Sequence, residues 1–395
     1  MLRKIFFWLH LAIGVTAGLV IAIMAFTGTT LAFEKELVAW GERDVRRVVP
    51  PADAARLPLS EILRRACEAA PESKLSGASI SADPAAAVPV TFGRDDLYFV
   101  NPYTGEVRQP ASRRIRDFLQ FTESVHRQLA LTNDSRKPLG RAVTGACSAA
   151  FLFLATSGLF LWWPRQWSTQ RLKATAVVNF GLAGRARDFN WHNAIGFWAA
   201  PFLILTTLCA LPMSYRWASN LLYTATGNTP PVSGANSPAI AVPTPPPDAT
   251  PLSQDALLAA AQREFPDWWY ISFRFGGGSG SGSARSKAAA DGSSERRGPQ
   301  AVSVMVQTPD QYPSFASTML LLDPYTGAVL KREPFAEQNA GRKLRTWARF
   351  IHTGEAAGWP GKVLATLTSL GAVILVWTGS ALAWRRFCRK QKASL

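Results

Sequence analysis

Cysteine, histidine and acid are all scarce in this chain, and each shortage closes a class of function. There are 4 cysteines and 4 histidines in 395 residues. Cys67, Cys147, Cys209 and Cys388 stand far apart, so there is no C-x-x-C for structural zinc or thiol redox chemistry and no C-x-x-C-H for covalent haem attachment. Only Cys67 falls in a segment expected in the oxidising compartment, Cys388 being expected on the inner side, which removes a disulfide framework. The 27 acids are outnumbered by 43 Lys and Arg, for a net charge of +16. Those cations flank apolar segments and do not interleave with aromatics, so they suit anionic lipid headgroups and give no sign of nucleic-acid binding. A glycine-rich run from Gly276 lacks G-x-x-x-x-G-K-[ST], and no helix signal follows it directly, which argues against a phosphate cradle.

What the sequence has in excess is long apolar runs. Ile5 to Phe33, Ala142 to Trp163, His192 to Met213 and Val363 to Trp384 are each near the roughly 20 residues that cross a bilayer as a helix. The first follows Arg3 and Lys4, but it exceeds the roughly 7 to 15 residues of a signal-peptide core, so an uncleaved anchor is expected. Arg165, Arg171, Lys173, Arg185 and Arg187 lie between the second and third runs, and Arg385, Arg386, Arg389, Lys390 and Lys392 follow the fourth. The positive-inside rule then puts that connection and both termini in the cytoplasm. The expected layout is a multi-pass protein of a bacterial inner membrane. Transmembrane helices occupy 1–33, 140–163, 191–214 and 361–384, with a basic cytoplasmic loop at 164–190 and a basic tail at 385–395. Segments 34–139 and 215–360 lie in the periplasm as α+β domains.

The chain is written twice. FFWLHLAIG at Phe6 returns as FNWHNAIGF at Phe189, and PLSEILRRACEAAPE at Pro58 returns as PLSQDALLAAAQREFPD at Pro251. Ser60 and Ser253 are placed to N-cap the helices of the second pair. β-prone stretches follow: VPVTF and LYFV in the first copy, WWYISFRF, AVSVMVQT and STMLLL in the second. Each copy then has a turn, NPYTGEV at Asn101 or DPYTGAV at Asp323, and a helix ending in histidine, Arg116 to His126 or Arg345 to His352. Residues 229 to 251 are Pro-rich, and with the Gly/Ser-rich run they form two solvated inserts in the second outer segment.

All four histidines, His10, His126, His192 and His352, occupy matched places in this duplicated unit. An ionisable side chain at membrane depth costs roughly 2.5 kcal/mol or more unless it has a partner. A two-fold relation between the halves sets His10 against His192 near the inner surface and His126 against His352 near the outer one. Two histidines from separate helices suit the two axial positions of a haem iron. Gly14 and Gly196 follow their histidines by four residues, on the same helical face, and admit a flat porphyrin to the backbone. Zinc is disfavoured because no histidines stand at i, i+4 and no acid cluster accompanies them, and a dinuclear carboxylate site because there is no E-x-x-H. A plainer reading, histidine beside Trp8 or Trp191 in an interfacial aromatic belt, fits one such residue better than four. Arg116, Arg127, Arg345 and Arg349 flank the outer pair and suit haem propionates, or else a headgroup-facing surface. The small pairs Thr27-Gly28, Ser157-Gly158 and Thr378-Gly379 read as helix-packing positions.

The repeated H-x-A-I-G helix openings, the [ND]-P-Y-T-G turns and the T-G or S-G helix ends resemble the PepSY-associated transmembrane family across nearly the whole chain. The resemblance implies a membrane protein of four transmembrane α-helices in two pseudo-symmetric repeats, with two periplasmic α+β PepSY-like domains. Within that family the chain is similar to inner-membrane ferrisiderophore reductases, which implies two haem b groups ligated by His10, His192, His126 and His352. It implies an oxidoreductase that relays electrons across the membrane to a ferric siderophore in the periplasm, where Fe(II) is held more weakly than Fe(III) by hard oxygen ligands. The donor would be a membrane quinol or a cytoplasmic reductase, since no stretch expected on the inner side is longer than the 27 residues from Pro164 to Asn190. Two other readings stay open: a PepSY binding, sensing or protease-regulating module anchored in the membrane, and a haem subunit of another respiratory oxidoreductase.

Overall fold

The computed structural model describes residues 1–388 except 53, 94–95, 165–167, 232–241, 244–245, 247 and 276–299. The Gly/Ser-rich run, much of the Pro-rich insert and the cations beyond Cys388 lie outside the described residues. The first half contains helices α1 (Leu2–Leu31), α2 (Glu34–Gly41), α3 (Arg43–Arg46) and α4 (Leu59–Ala69), then strands β1 (Leu75–Ser81), β2 (Val88–Phe92), β3 (Asp96–Val100) and β4 (Val107–Arg108). Helices α5 (Arg114–Gln128), α6 (Lys137–Trp162) and α7 (Thr169–Ala176) follow. The second half contains α8 (Gly184–Ser214), α9 (Arg216–Ala225), α10 (Gln254–Glu264), β5 (Tyr270–Arg274), β6 (Val302–Gln307), β7 (Thr318–Leu322), β8 (Val329–Glu333), α11 (Ala340–His352) and α12 (Gly358–Cys388). The chain divides into two compact units, one made of Met1–Leu37, Arg114–Pro230 and Ala340–Leu395, the other of Val38–Arg113 and Pro231–Asn339.

In the first unit α1, α6, α8 and α12 are each long and apolar enough to cross a membrane. The 30 residues of α1 reach about 45 Å, more than a bilayer's hydrocarbon thickness of about 30 Å. The four helices close a ring in which α1 and α8 each pack on both α6 and α12. Small residues let them approach: Ala25, Ala155, Ala199 and Ala372 meet with Leu203 at the centre of the bundle. Val15, Leu19, Phe26, Leu205, Leu208, Leu367 and Leu370 face outward and exposed, apolar surface suited to lipid tails. Helix α5 packs on α1 and α6, and α11 packs on α8 and α9.

The second unit is built on one antiparallel sheet of order β4-β3-β2-β1-β5-β6-β7-β8. Segments 34–139 and 215–360, read above as one outer domain each, therefore contribute to a single sheet, joined where β1 pairs with β5 from Gly77↔Arg274 to Ser81↔Tyr270. Alternation along the strands buries one face: Ala78, Ile80, Val90, Phe92, Ile271, Phe273, Val304 and Val306 pack under α4 and α10. Both Asx-Pro-Tyr-Thr-Gly turns form as their chemistry demands. Asn101 Oδ1 accepts from the Tyr103 amide at 2.9 Å and Asp323 Oδ1 from the Tyr325 amide at 2.8 Å, while Gly105 and Gly327 take φ of +72° and +69°.

One expected cap is corrected. Ser253 does cap α10, accepting from the Ala256 amide, but α4 starts two residues earlier than expected, at Leu59 behind Pro58, so Ser60 lies inside it. Its hydroxyl instead donates to Asp255, in the first turn of α10.

Candidate functional site

The ring of four spans brings together residues far apart in sequence. His10 on α1 and His192 on α8, helices at opposite corners of the ring, have ring centroids 6.4 Å apart. His126 and His352, at the ends of α5 and α11, have centroids 6.3 Å apart. Leu129 and Ala130, both at positive φ, turn the chain between α5 and α6, so His126 comes from its own segment beside the bundle and not from the span itself.

Hydrogen bonding fixes the tautomer of each ring. His352 Nδ1 lies 2.9 Å from the carbonyl of Thr206, and His126 Nδ1 lies 2.9 Å from the carbonyl of Met24. A carbonyl has no proton to give, so in both rings Nδ1–H is the donor and the Nε2 lone pair is left bare. His192 Nδ1 lies 3.0 Å from Thr378 Oγ1, whose own proton goes to the Ile374 carbonyl at 2.8 Å. The hydroxyl must therefore accept from the ring. His10 and Ser157 repeat the arrangement: 2.8 Å between Nδ1 and Oγ, with Ser157 donating to Leu154 at 3.3 Å. Thr27 Oγ1, 3.0 Å from His126 Nδ1, donates to the Ile23 carbonyl and supports the third ring.

These partners were misread from the sequence, where Thr27, Ser157 and Thr378 passed for packing residues. Their following glycines matter too. A Cβ at Gly158 would sit 3.3 Å from His10 Cε1 and one at Gly379 3.2 Å from His192 Cε1, tighter than ordinary packing, while at Gly28 it would sit 3.5 Å from His126 Cε1. Gly14 and Gly196 line the same space, but a Cβ there meets only Leu154 at 3.9 Å or Leu375 at 3.5 Å. The signal was in the sequence as a hydroxyl-glycine dipeptide repeated on three spans.

His10 and His192 border a cavity of about 470 Å³ inside the bundle, whose lining also includes Arg185 and Arg386. Outside the spans, burial and the proximity of His352 and Arg127 push His126 down to about 4, against a partial offset from the Met24 carbonyl. Burial likewise lowers His352. Both rings stay neutral, the form that ligates a metal. Among the described residues no group of three or more His, Cys, Asp or Glu is arranged to hold a metal ion, so two-histidine pairs are the donor sets on offer.

The other flanking cations are more dispersed. Arg127 pairs with Glu123 at 2.7 Å, Arg349 stacks on Phe350, and Arg116 lies near enough to Glu34 for its charge to act there. Arg345 is exposed on α11, about two turns before His352.

The family model for the PepSY-associated TM region matches residues 7–386. The chain belongs to the PepSY-associated transmembrane family. No curated protein matches it. In this PepSY-associated protein, as described, both histidine pairs fall within the family's matched region, and each pair takes one member from either half of the chain.

Do the residues fit a haem? A metal held about 2 Å from Nε2 of each of two opposed imidazoles sets their ring centroids about 6 Å apart, close to the spacing of both pairs. The Nδ1 hydrogen bonds are the partners that orient metal-ligating histidines. The glycine-edged cavity beside the first pair is walled mostly by aliphatic and aromatic side chains, with Arg185 and Arg386 among the few polar ones, which suits a flat apolar macrocycle that carries acid groups. The donor set fits.

Proposed function

We propose that this protein is a bacterial inner-membrane oxidoreductase that binds two haem b groups, one at His10/His192 and one at His126/His352, and reduces ferric iron carried by siderophores in the periplasm. The observation that carries the reading is the pair of centroid distances, 6.4 and 6.3 Å, between rings whose Nε2 lone pairs are unclaimed. Bound haem supplies reversible one-electron Fe(III)/Fe(II) chemistry across the membrane, from a quinol or a cytoplasmic reductase on one side to the ferric acceptor on the other.

The chain's own residues hold and tune. Ser157 and Thr378 fix the rings of the first pair, and the carbonyls of Met24 and Thr206 those of the second. His10 with His192, and His126 with His352, would each hold a haem iron through two nitrogens, a donor set that would suit electron transfer over oxygen binding. With both termini and the Arg-rich loop in the cytoplasm, the His10/His192 site lies near the inner face and the His126/His352 site near the outer one. Two sequence repeats, each contributing one histidine to each site, support a pseudo-two-fold arrangement.

The test is a reduced-minus-oxidised optical spectrum with haem quantitation on detergent-purified protein, beside His10→Ala and His352→Ala. Two b-type haems per chain are expected, with one lost in each variant, followed by ferric-siderophore reduction by the dithionite-reduced wild type. A folded, haem-free wild type overturns the proposal and leaves a binding module.

A further inference from the structure

Arginines crowd the end of the bundle where α8 begins and α12 finishes: Arg185, Arg187, Arg385 and Arg386. One carboxylate stands among them. Asp188, fully buried, takes Arg187 at 2.9 Å on Oδ1 and Arg385 at 3.1 Å on Oδ2. Among the described residues no carboxylate pairs with Arg185 or Arg386, and these are the two that line the cavity holding His10 and His192. Arg386 is not free to swing outward, because its guanidinium stacks on Phe7 at 5.0 Å and Trp8 at 5.1 Å on α1.

We propose that Arg185 and Arg386 bind the two propionate carboxylates of the porphyrin at the His10/His192 site, and so set its orientation with the acid edge toward the arginine-rich end. The inference rests on the haem reading above. A b-type haem carries two carboxylates on one edge, and the cavity offers two cations at one rim. The remainder of the lining is dominated by apolar side chains and glycine, among them Leu154, Ile21, Gly14 and Val376, with nothing to neutralise an anion. A guanidinium meets a carboxylate with two parallel hydrogen bonds, so each pairing also fixes an angle. Asp188 contributes indirectly: of the four arginines it pairs with Arg187 and Arg385 and leaves the cavity-lining Arg185 and Arg386 without a carboxylate among the described residues.

The experiment compares haem with its dimethyl ester, which has the same macrocycle without the two charges. Both are titrated into full-length apoprotein carrying His126→Ala, so that only the His10/His192 site binds, with the Soret band and haem stoichiometry as readouts. The background protein is expected to prefer the free acid by about tenfold, the combined value of two ion pairs made by exposed guanidiniums. Arg185→Gln/Arg386→Gln is expected to lose that preference while still binding the ester. Arg185→Lys/Arg386→Lys keeps the charges without the forks and is expected to retain an intermediate preference, which provides a folded comparison should the Gln pair not accumulate. An undiminished preference in either double variant overturns the assignment and leaves these arginines to anionic lipid headgroups. Failure of the background protein to bind either porphyrin defeats the haem reading itself.

Discussion

Thr378→Val removes one acceptor oxygen and little else, which makes it a sharp probe of how the first pair is held. Thr378 is fully buried, and valine keeps its branched shape. The hydroxyl accepts from His192 Nδ1–H at 3.0 Å, and its own proton is spent on the Ile374 carbonyl. Valine leaves that N–H with the Leu375 carbonyl as its remaining acceptor, at a cost toward the low end of about 1–3 kcal/mol. The ring's escape is to move its proton to Nε2, which removes the lone pair needed for ligation. On the proposed haem reading, either route is expected to weaken haem binding by about 10- to 100-fold. Because the lost hydrogen bond also makes the imidazole a poorer donor, the reduction potential of that site moves upward. Titration of haem into the apoprotein, with a redox titration of the loaded form, measures both. Thr378→Ser retains the hydroxyl and binds nearly as wild type. A folded Thr378→Val protein that binds haem as tightly as Thr378→Ser refutes the assigned tautomer.

Two further perturbations address the surroundings of the sites. Asp188→Ala leaves Arg187 and Arg385 without their shared carboxylate; since both are about a third exposed, the loss falls at the low end for a broken buried pair, about 3 kcal/mol, read as a lower thermal midpoint in detergent. An unchanged midpoint would mean that water and headgroups replace the carboxylate at no cost. Glu34 is raised above its usual 4.5 by burial, with Glu123 and Glu355 adding to the effect and Lys35 and Arg116 opposing it. The folded chain thus binds more protons than the unfolded one above pH 4.5, and this contribution, full below 4.5, is lost as pH rises through the folded value. Glu34→Gln is expected to flatten the fall in stability on that side, and an identical stability–pH profile argues against it.

Much of the helical unit was legible because its signals are long. Four apolar runs cannot be buried by a chain of this size except in lipid, and the repeat exposed the histidine pairs by placing all four in equivalent phrases. VPVTF, AVSVMVQT and STMLLL became strands β2, β6 and β7, being rich in β-branched and large apolar residues. The strand LSGASIS, which joins the two halves of the sheet, went unseen because serine, glycine and alanine carry weak strand preference. Its propensity is supplied by tertiary context: Ser79 and Ser272 share a hydroxyl hydrogen bond of 2.9 Å across the β1–β5 junction. The hydroxyl partners of the histidines escaped for a different reason. A serine or threonine inside a membrane helix nearly always bonds back to its own helix, and nothing in one sequence says that its oxygen also faces a ring.

The same reasoning explains why a site of this kind should be written twice. Two imidazoles opposed across about 6 Å must approach from opposite sides. A single helix presents residues one turn apart on the same face, so it cannot supply both. Here α1 and α8 come from different halves of the chain, stand across the ring from each other, and each packs on α6 and α12 without an extended interface of their own. That separation is what leaves room between His10 and His192. His126 on α5 and His352 on α11 obey the same division. Each hydroxyl or carbonyl that orients a histidine lies on another element of the same half, Ser157 on α6 and Met24 on α1 in the first, Thr378 on α12 and Thr206 on α8 in the second, so each half orients its own rings, and the packing of α1 on α12 and of α6 on α8 brings the two halves together.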